Sequence, residues 1–409
     1  MILTVCPGDW RCGTRPATNG DTMDGTNESQ TAQPQALASE DRVGAVVFYR
    51  CDRNASMADH DLSTKAAVAK SISRLLGLEY AGQFDSRRSQ LGPLYVVPSH
   101  TLTGSALARR LGIRGPSDFF GGVVPYRFVG TKAITHPLIH PAAAAPEGWV
   151  VAHAAYLGDA VLPGYTAFGI ADALQAGGVL LERGAVRVKQ PMGVGGAGQT
   201  VVEDHAALQA HLGSLDEQSV LRDGLVLEAN LADVQTLSVG QVQVGEWFAS
   251  YFGTQHQIPN NRGDEVYGGS NLTVVRGGFE RLLALNLEPQ VRTAMEQSIR
   301  YHEGAAKHFP EMFASRSNYD VAQGTDGEGH WRSGVLEQSW RIGGASGAEI
   351  AALHAFRADP GLSVVHASTR EVYGEGHTIP SDAWVHYEGV DRHGQRLVKY
   401  VEVRCHGYV

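Results

Sequence analysis

Val186-Arg-Val-Lys-Gln-Pro-Met-Gly-Val-Gly-Gly-Ala-Gly198 organises the chain. It reads as a short strand carrying Lys189, then a proline, then a loop with glycine at 193, 195, 196 and 198. Glycines this dense leave backbone N–H groups free to converge on an anion, because no Cβ blocks the approach. Lys189 adds a full positive charge beside the same place. A flexible surface turn is the competing reading of the loop alone. Gly193, Gly195 and Gly198 also fit G-x-G-x-x-G, but that motif needs a helix starting at the glycines. Here Gln199-Thr-Val-Val-Glu203 follows, which is extended in character, and the next helix starts only after Asp204, its N-cap. A strand–loop–strand unit that closes over phosphates is favoured over a dinucleotide turn.

Working outward, 409 residues predict two or three domains. A hydrophobic content of 43% and a charged content of 19% are those of a globular protein. The net charge of −9 and the lack of any basic run argue against nucleic acid as a partner. The apolar region 142–162 is broken by Pro146, Glu147 and Asp159, so no membrane span is expected. The start carries no basic segment of a signal peptide. The four cysteines (6, 12, 51 and 405) form no CxxC pair, so free thiols and a cytoplasmic setting are expected. Residues 1–40, polar and without periodicity, read as a disordered leader.

An N-terminal α/β domain is expected over 41–130. Its strands are placed at Val43–Tyr49 and Leu94–Val97, and its helices at 63–76 (stopped by Gly77) and 103–111. Residues 123–165 read as irregular, with Lys132 notable among them, and a helix is expected over 166–176 with Thr166 as N-cap. Leu225 to Leu231 reads as a buried strand carrying Glu228, followed by two strands joined at Gly245 and a helix over 289–309.

Tyr319 to Arg341 is the second informative stretch. Asp326-Gly327 and Gly329 lie midway between apolar segments, a hairpin signal. A turn centred between Glu328 and Gly329 sets Asp320 opposite Glu337. Cross-strand Cβ atoms stand about 5 Å apart, so these carboxylates repel unless a cation sits between them. Alternation puts Glu337, Ser339 and Arg341 on one face, a donor set suited to magnesium carrying phosphates. A solvated acidic hairpin is the plainer alternative. Ser346 to Glu349 reads as a capping box opening a helix over 347–357.

In this order the motifs resemble the ATP-grasp superfamily, over about residues 43–357. The resemblance implies an α/β and α+β architecture, in which an N-terminal α/β domain precedes two α+β subdomains that grip ATP. It places the nucleotide region at 131–357, a small lid subdomain at about 165–230, and a C-terminal β-hairpin extension at 358–409. It implies that Lys132, Lys189, Gly193, Gly195, Gly196 and Gly198 hold phosphates, while Glu228, Asn230 and Leu231 meet the base. It implies that Asp320, Glu337 and Ser339 bind Mg2+, serine standing where the family pattern has asparagine, and that Arg341 and Lys189 act in catalysis. The implied reaction is ligation of a small-molecule carboxylate to an amine through an acyl phosphate, with ATP and Mg2+ and a homodimer as the family expectation. Alternatives are bicarbonate activation of the biotin-carboxylase kind, or ATP binding without turnover. Ser99, His100, Tyr126 and Arg127 are candidates for the substrate pocket.

Overall fold

A computed structural model describes residues 44–51, 59–86, 93–193, 198–391 and 393–407. The expected leader, Gly195 and Gly196 lie outside them. The N-terminal sheet is parallel, with strands in the order Glu79–Gln83, Ala45–Tyr49, Leu94–Pro98. Val46, Val47, Val96 and Val97 are all buried, the unbroken apolar run that a two-face-covered parallel strand requires. Helix Asp59–Leu76 covers the sheet with Val68, Ile72 and Leu75, spaced at i, i+4 and i+7. It starts earlier than the sequence pattern suggests and stops at Gly77, whose φ of +69° suits glycine. The half-buried strand Glu79–Gln83 is an addition, too polar and short to be read from its pattern.

A four-stranded antiparallel sheet follows, in the order Gly164–Ala167, Leu225–Ala229, Val186–Lys189, Gln199–Val202. Helices Ile170–Leu181 and His205–Gly213 pack on it through Ala173, Ala176, Leu180, Leu208 and Leu212. Asp204 caps the second of these, its Oδ1 accepting from the Ala207 N–H at 2.7 Å. Thr166 is no helix cap: it lies inside the first strand, and its hydroxyl donates to Ala133 O at 2.7 Å. The helix after it begins at Ile170 and runs through Gly177 and Gly178, where the missing side chain lets Leu208 approach.

The largest sheet has eight strands, all antiparallel: Trp331–Ser339, Arg316–Thr325, Ala232–Val244, Trp247–Pro259, Glu265–Arg276, Val364–Tyr373, Arg396–Gly407, Trp384–Val390. The last three continue the sheet that carries Asp320. Alternation splits its apolar side chains between two layers. Leu237, Val239, Tyr319 and Val321 face the side of helix Pro289–His308. Val242, Val244, Leu272 and Val274 meet helix Ser346–Ala358 and the N-terminal helix. Asp320, next to Tyr319 and Val321, therefore faces the second layer, beside the crevice between the sheets.

Candidate active site

Lys132 opens a single 3-10 turn, Lys132–Thr135, in the region that reads as irregular. Gln338, buried in the strand Trp331–Ser339, seats this turn by donating to Val129 O at 2.9 Å and Thr131 O at 2.6 Å. Glu337, its chain neighbour, points to the opposite face, so the turn brings Lys132 to that carboxylate. The Lys132 ammonium lies 2.5 Å from Glu337 Oε2 and donates to Gly193 O at 3.1 Å. One buried cation thus joins the glycine loop to the acidic hairpin.

The same segment reaches the four-stranded sheet through His136, whose Nε2 is 3.2 Å from Glu228 Oε2. Glu228 also ion-pairs with Lys189, and all three side chains are almost wholly buried. Burial pushes the Glu228 carboxyl up, but the Lys189 ammonium and the His136 hydrogen bond outweigh it and hold it at about 2. Glu228 is therefore ionised and turned inward against Lys189. Arg187, two residues before Lys189 on the same strand face, donates to Gln199 Oε1 at 3.1 Å and Asn230 Oδ1 at 2.7 Å. It escaped the sequence reading, although the alternation Val-Arg-Val-Lys marks it. Leu231 is buried against Leu162 and Ala322.

Asp320 and Glu337 are direct cross-strand partners. The route to that register differs from the simple hairpin: Thr325 pairs with Trp331 and Val321 with Val335, so the turn centres on Glu328. An irregularity between Asp320 and Val321 then inserts one residue on the second strand and restores Glu337 opposite Asp320. Asp320 Oδ1 accepts from Ser238 Oγ at 3.0 Å, Gln255 Nε2 at 2.7 Å and Asn318 Nδ2 at 2.8 Å. Its other oxygen, and Glu337 Oε1, take no hydrogen bond among the described residues. Burial and the facing Glu337 push the Asp320 carboxyl up to about 6, against the Asn318 and Ser238 hydrogen bonds. Two hard oxygens left over on mutually repelling carboxylates fit a divalent cation.

Ser339, two residues beyond Glu337 and paired with Asn318, accepts from Arg316 Nη1 at 3.2 Å through its Oγ. Arg316, Asn318 and Asp320 form a polar stripe at every second residue of one strand, a pattern visible in the sequence but not read from it. Glu349 takes Arg316 Nη2 at 2.7 Å and Tyr251 Oη at 2.7 Å, all buried. That commitment rules out the capping box: the helix runs Ser346–Ala358, and Ser346 Oγ instead accepts from Gly343 N at 3.0 Å. The Arg341 guanidinium donates only to Ile342 O, at 3.3 Å, and pairs with no carboxylate among the described residues. Of the pocket candidates, Arg127 reaches the mostly buried Asp223 at 3.5 Å and Tyr126 stacks on Phe128 at the outside. Ser99 and His100 follow the strand Leu94–Pro98 at the crevice.

A parallel N-terminal sheet, a four-stranded antiparallel sheet carrying Lys189, and a large antiparallel sheet carrying the acidic pair together make the ATP-grasp fold. The N5-carboxyaminoimidazole synthetase of Staphylococcus aureus, solved in complex with ADP, superposes with a TM-score of 0.50 at 10% identity, over 89% of this chain and 94% of that one. Phosphoribosylamine–glycine ligase of Thermotoga maritima is similar at a TM-score of 0.48 and 13% identity, covering 89% and 93%. Biotin carboxylase of Campylobacter jejuni is similar at 0.48 and 10%, covering 88% and 87%. The chain belongs to the family described as "Protein of unknown function (DUF3182)", whose model matches residues 48–401. No curated protein matches it. Among the described residues no helix is long and apolar enough to cross a membrane.

Proposed function

We propose that the protein is an ATP-dependent ligase that activates a small-molecule carboxylate as an acyl phosphate for attack by an amine. The observation that supports this most is Lys132, which touches both Gly193 on the lid and Glu337 on the large sheet. A triphosphate held beneath the glycine loop would then end at the acidic pair. In this reading the segment around 164–229 is the lid, and Asn230 and Leu231 lie at its hinge.

Each lysine ammonium has three donors, so Lys132 and Lys189 can keep their carboxylates and still bind phosphate oxygens. Arg187, with no carboxylate partner among the described residues, adds a fork on the same lid face. The free oxygens of Asp320 and Glu337 would hold Mg2+, which when bound neutralises charge on the transferring phosphoryl group. Ser339 Oγ, which accepts one hydrogen bond from Arg316, keeps a second lone pair for the ion or its water. A substrate carboxylate oxygen attacks the γ-phosphorus and ADP leaves. The amine nitrogen then attacks the acyl carbon, phosphate leaves, and the nitrogen loses a proton. Arg341 stabilises the negative charge that develops on the acyl oxygens.

Hydroxylamine, a small amine nucleophile, turns an acyl phosphate into a hydroxamate. A carboxylate panel with ATP, Mg2+ and hydroxylamine should yield ADP and hydroxamate together, and Asp320→Ala and Glu337→Ala should lose both. Full turnover in both variants would overturn the metal assignment.

A further inference from the structure

The crevice at the C-terminal ends of Ala45–Tyr49 and Leu94–Pro98 is where the strand order reverses, since the first strand in sequence is central in the sheet. Lys65, on the helix that leaves this point, donates its ammonium to Ser99 O at 3.2 Å. The Cys51 N–H donates to Ser99 Oγ at 3.1 Å, so the turn beyond Leu94–Pro98 is held from both sides. Thr101, in the same turn, donates to Trp340 O at 3.1 Å and seats it against the residue before Arg341.

Two cations therefore converge on one turn. Neither Lys65 nor Arg341 pairs with a carboxylate among the described residues. The acids nearby are committed elsewhere. Asp61, one helical turn before Lys65, takes Lys399 at 3.2 Å and His60 at 3.2 Å. Glu371 takes Lys399 at 2.9 Å, Glu349 takes Arg316, and Glu337 takes Lys132. Burial, then the nearby charge of Arg341, pulls the Lys65 ammonium down to about 8 against the opposing charge of Asp61. Desolvated positive charges that make no direct ion pair among the described residues are costly, and an anionic ligand lowers that cost.

We propose that the carboxylate substrate is a small dianion, whose reacting carboxylate lies at Arg341 and whose second anionic group is bound by Lys65 at the Ser99–Thr101 turn. This rests on the ligase reading for the role of Arg341. Arg341 follows the strand that carries Glu337, so the carboxylate beside it adjoins the acidic pair. Lys65 reaches Ser99 and Thr101 reaches Trp340, so the one turn spans from the ammonium to the residue before Arg341. A lysine ammonium is a point charge that accepts a carboxylate or a phosphate alike.

The test is calorimetric titration of the full chain with succinate, 3-phosphonopropionate and propionate, with and without Mg2+ and a non-hydrolysable ATP analogue. Wild type should bind at least one dianion about tenfold or more tighter than propionate, the tighter one identifying the second group as carboxylate or phosphate-like. Lys65→Met should lose that preference yet bind the nucleotide analogue as wild type does, and Lys65→Arg should keep it. If Lys65→Met fails to bind nucleotide, Lys65→Gln, which keeps a donor for Ser99 O, replaces it in the comparison. No dianion preference in wild type, or an unchanged preference without the Lys65 charge, overturns the proposal. Nucleotide binding with no Lys65-dependent anion binding leaves the ligase reading standing. Lys65-dependent dianion binding without nucleotide binding removes the ligase reading and keeps the pocket.

Discussion

Lys132, in the turn seated on Gln338, is ion-paired with Glu337 of the large sheet at 2.5 Å. The contact has opposite consequences for the two ligands of the proposed site. Lys132→Met removes a phosphate donor and also frees Glu337. Titration should show an ATP analogue binding about tenfold or more weakly, as for loss of a charge-assisted hydrogen bond. Free Mg2+ should bind more tightly than to wild type. Parallel losses for both ligands would mean that the pair does not separate the two sites.

The raised pKa of Asp320 gives the site a pH dependence of defined sign. Its folded value of about 6 lies above that of an exposed aspartate, so the metal-free fold loses stability as pH rises between the two. Above pH 6 the full penalty of the buried charge is present. Asp320→Asn should therefore raise the Tm of metal-free protein at pH 7.5 and leave it nearly unchanged at pH 4. Because protons and cation compete for the same oxygens, Mn2+ affinity should fall about tenfold per pH unit below 6. An Asp320→Asn protein with a lower Tm at pH 7.5 would contradict the carboxylate repulsion.

Lys189 and Glu228 are coupled in the lid interior. Removing the lysine leaves a buried carboxylate against His136 alone, at a cost of about 3–5 kcal/mol. Lys189→Met and Glu228→Gln together should cost clearly less than the sum of the single changes in urea denaturation. The depressed Glu228 pKa contributes stability that is complete above the ordinary glutamate range and lost as pH falls toward 2. Additive single effects would show that the pair is not formed in solution.

Arg316 and Glu349 predict a purely structural failure. Both are fully buried, and Arg316 also holds Ser339 O and Arg341 O. Arg316→Met should destabilise by about 3–5 kcal/mol, and adding Glu349→Gln should recover part of that. The measurement is again urea denaturation. A neutral Arg316→Met would mean that water reaches Glu349.

Much of this was legible because it rests on local rules. The glycine hairpin, the Asp204 cap and the 289–308 helix follow from period and capping alone. The Asp320–Glu337 register was legible for a less direct reason. The turn centres on Glu328, half a residue from the expected point, and the strand irregularity compensates. Nothing in the sequence signals that irregularity, which leaves Leu336 without a partner on the first strand. Lys132 stood out as a residue, but its position depends on Gln338 reaching across 207 residues of chain to Thr131. The Arg316–Glu349–Tyr251 network, likewise long-range, turned an apparent capping glutamate into a core ion pair. Lys65 reads as one more surface lysine on an amphipathic helix until strand order sets it at the crevice.

The most direct measurement is calorimetric titration of the Mg2+ complex of a non-hydrolysable ATP analogue into wild type and into an Asp320→Asn/Glu337→Gln variant. The account predicts saturable one-to-one binding by wild type and at least a tenfold loss in the variant, with the loss much smaller when Mg2+ is omitted. No nucleotide binding by folded wild type, or equal binding by the variant in the presence of Mg2+, would contradict it.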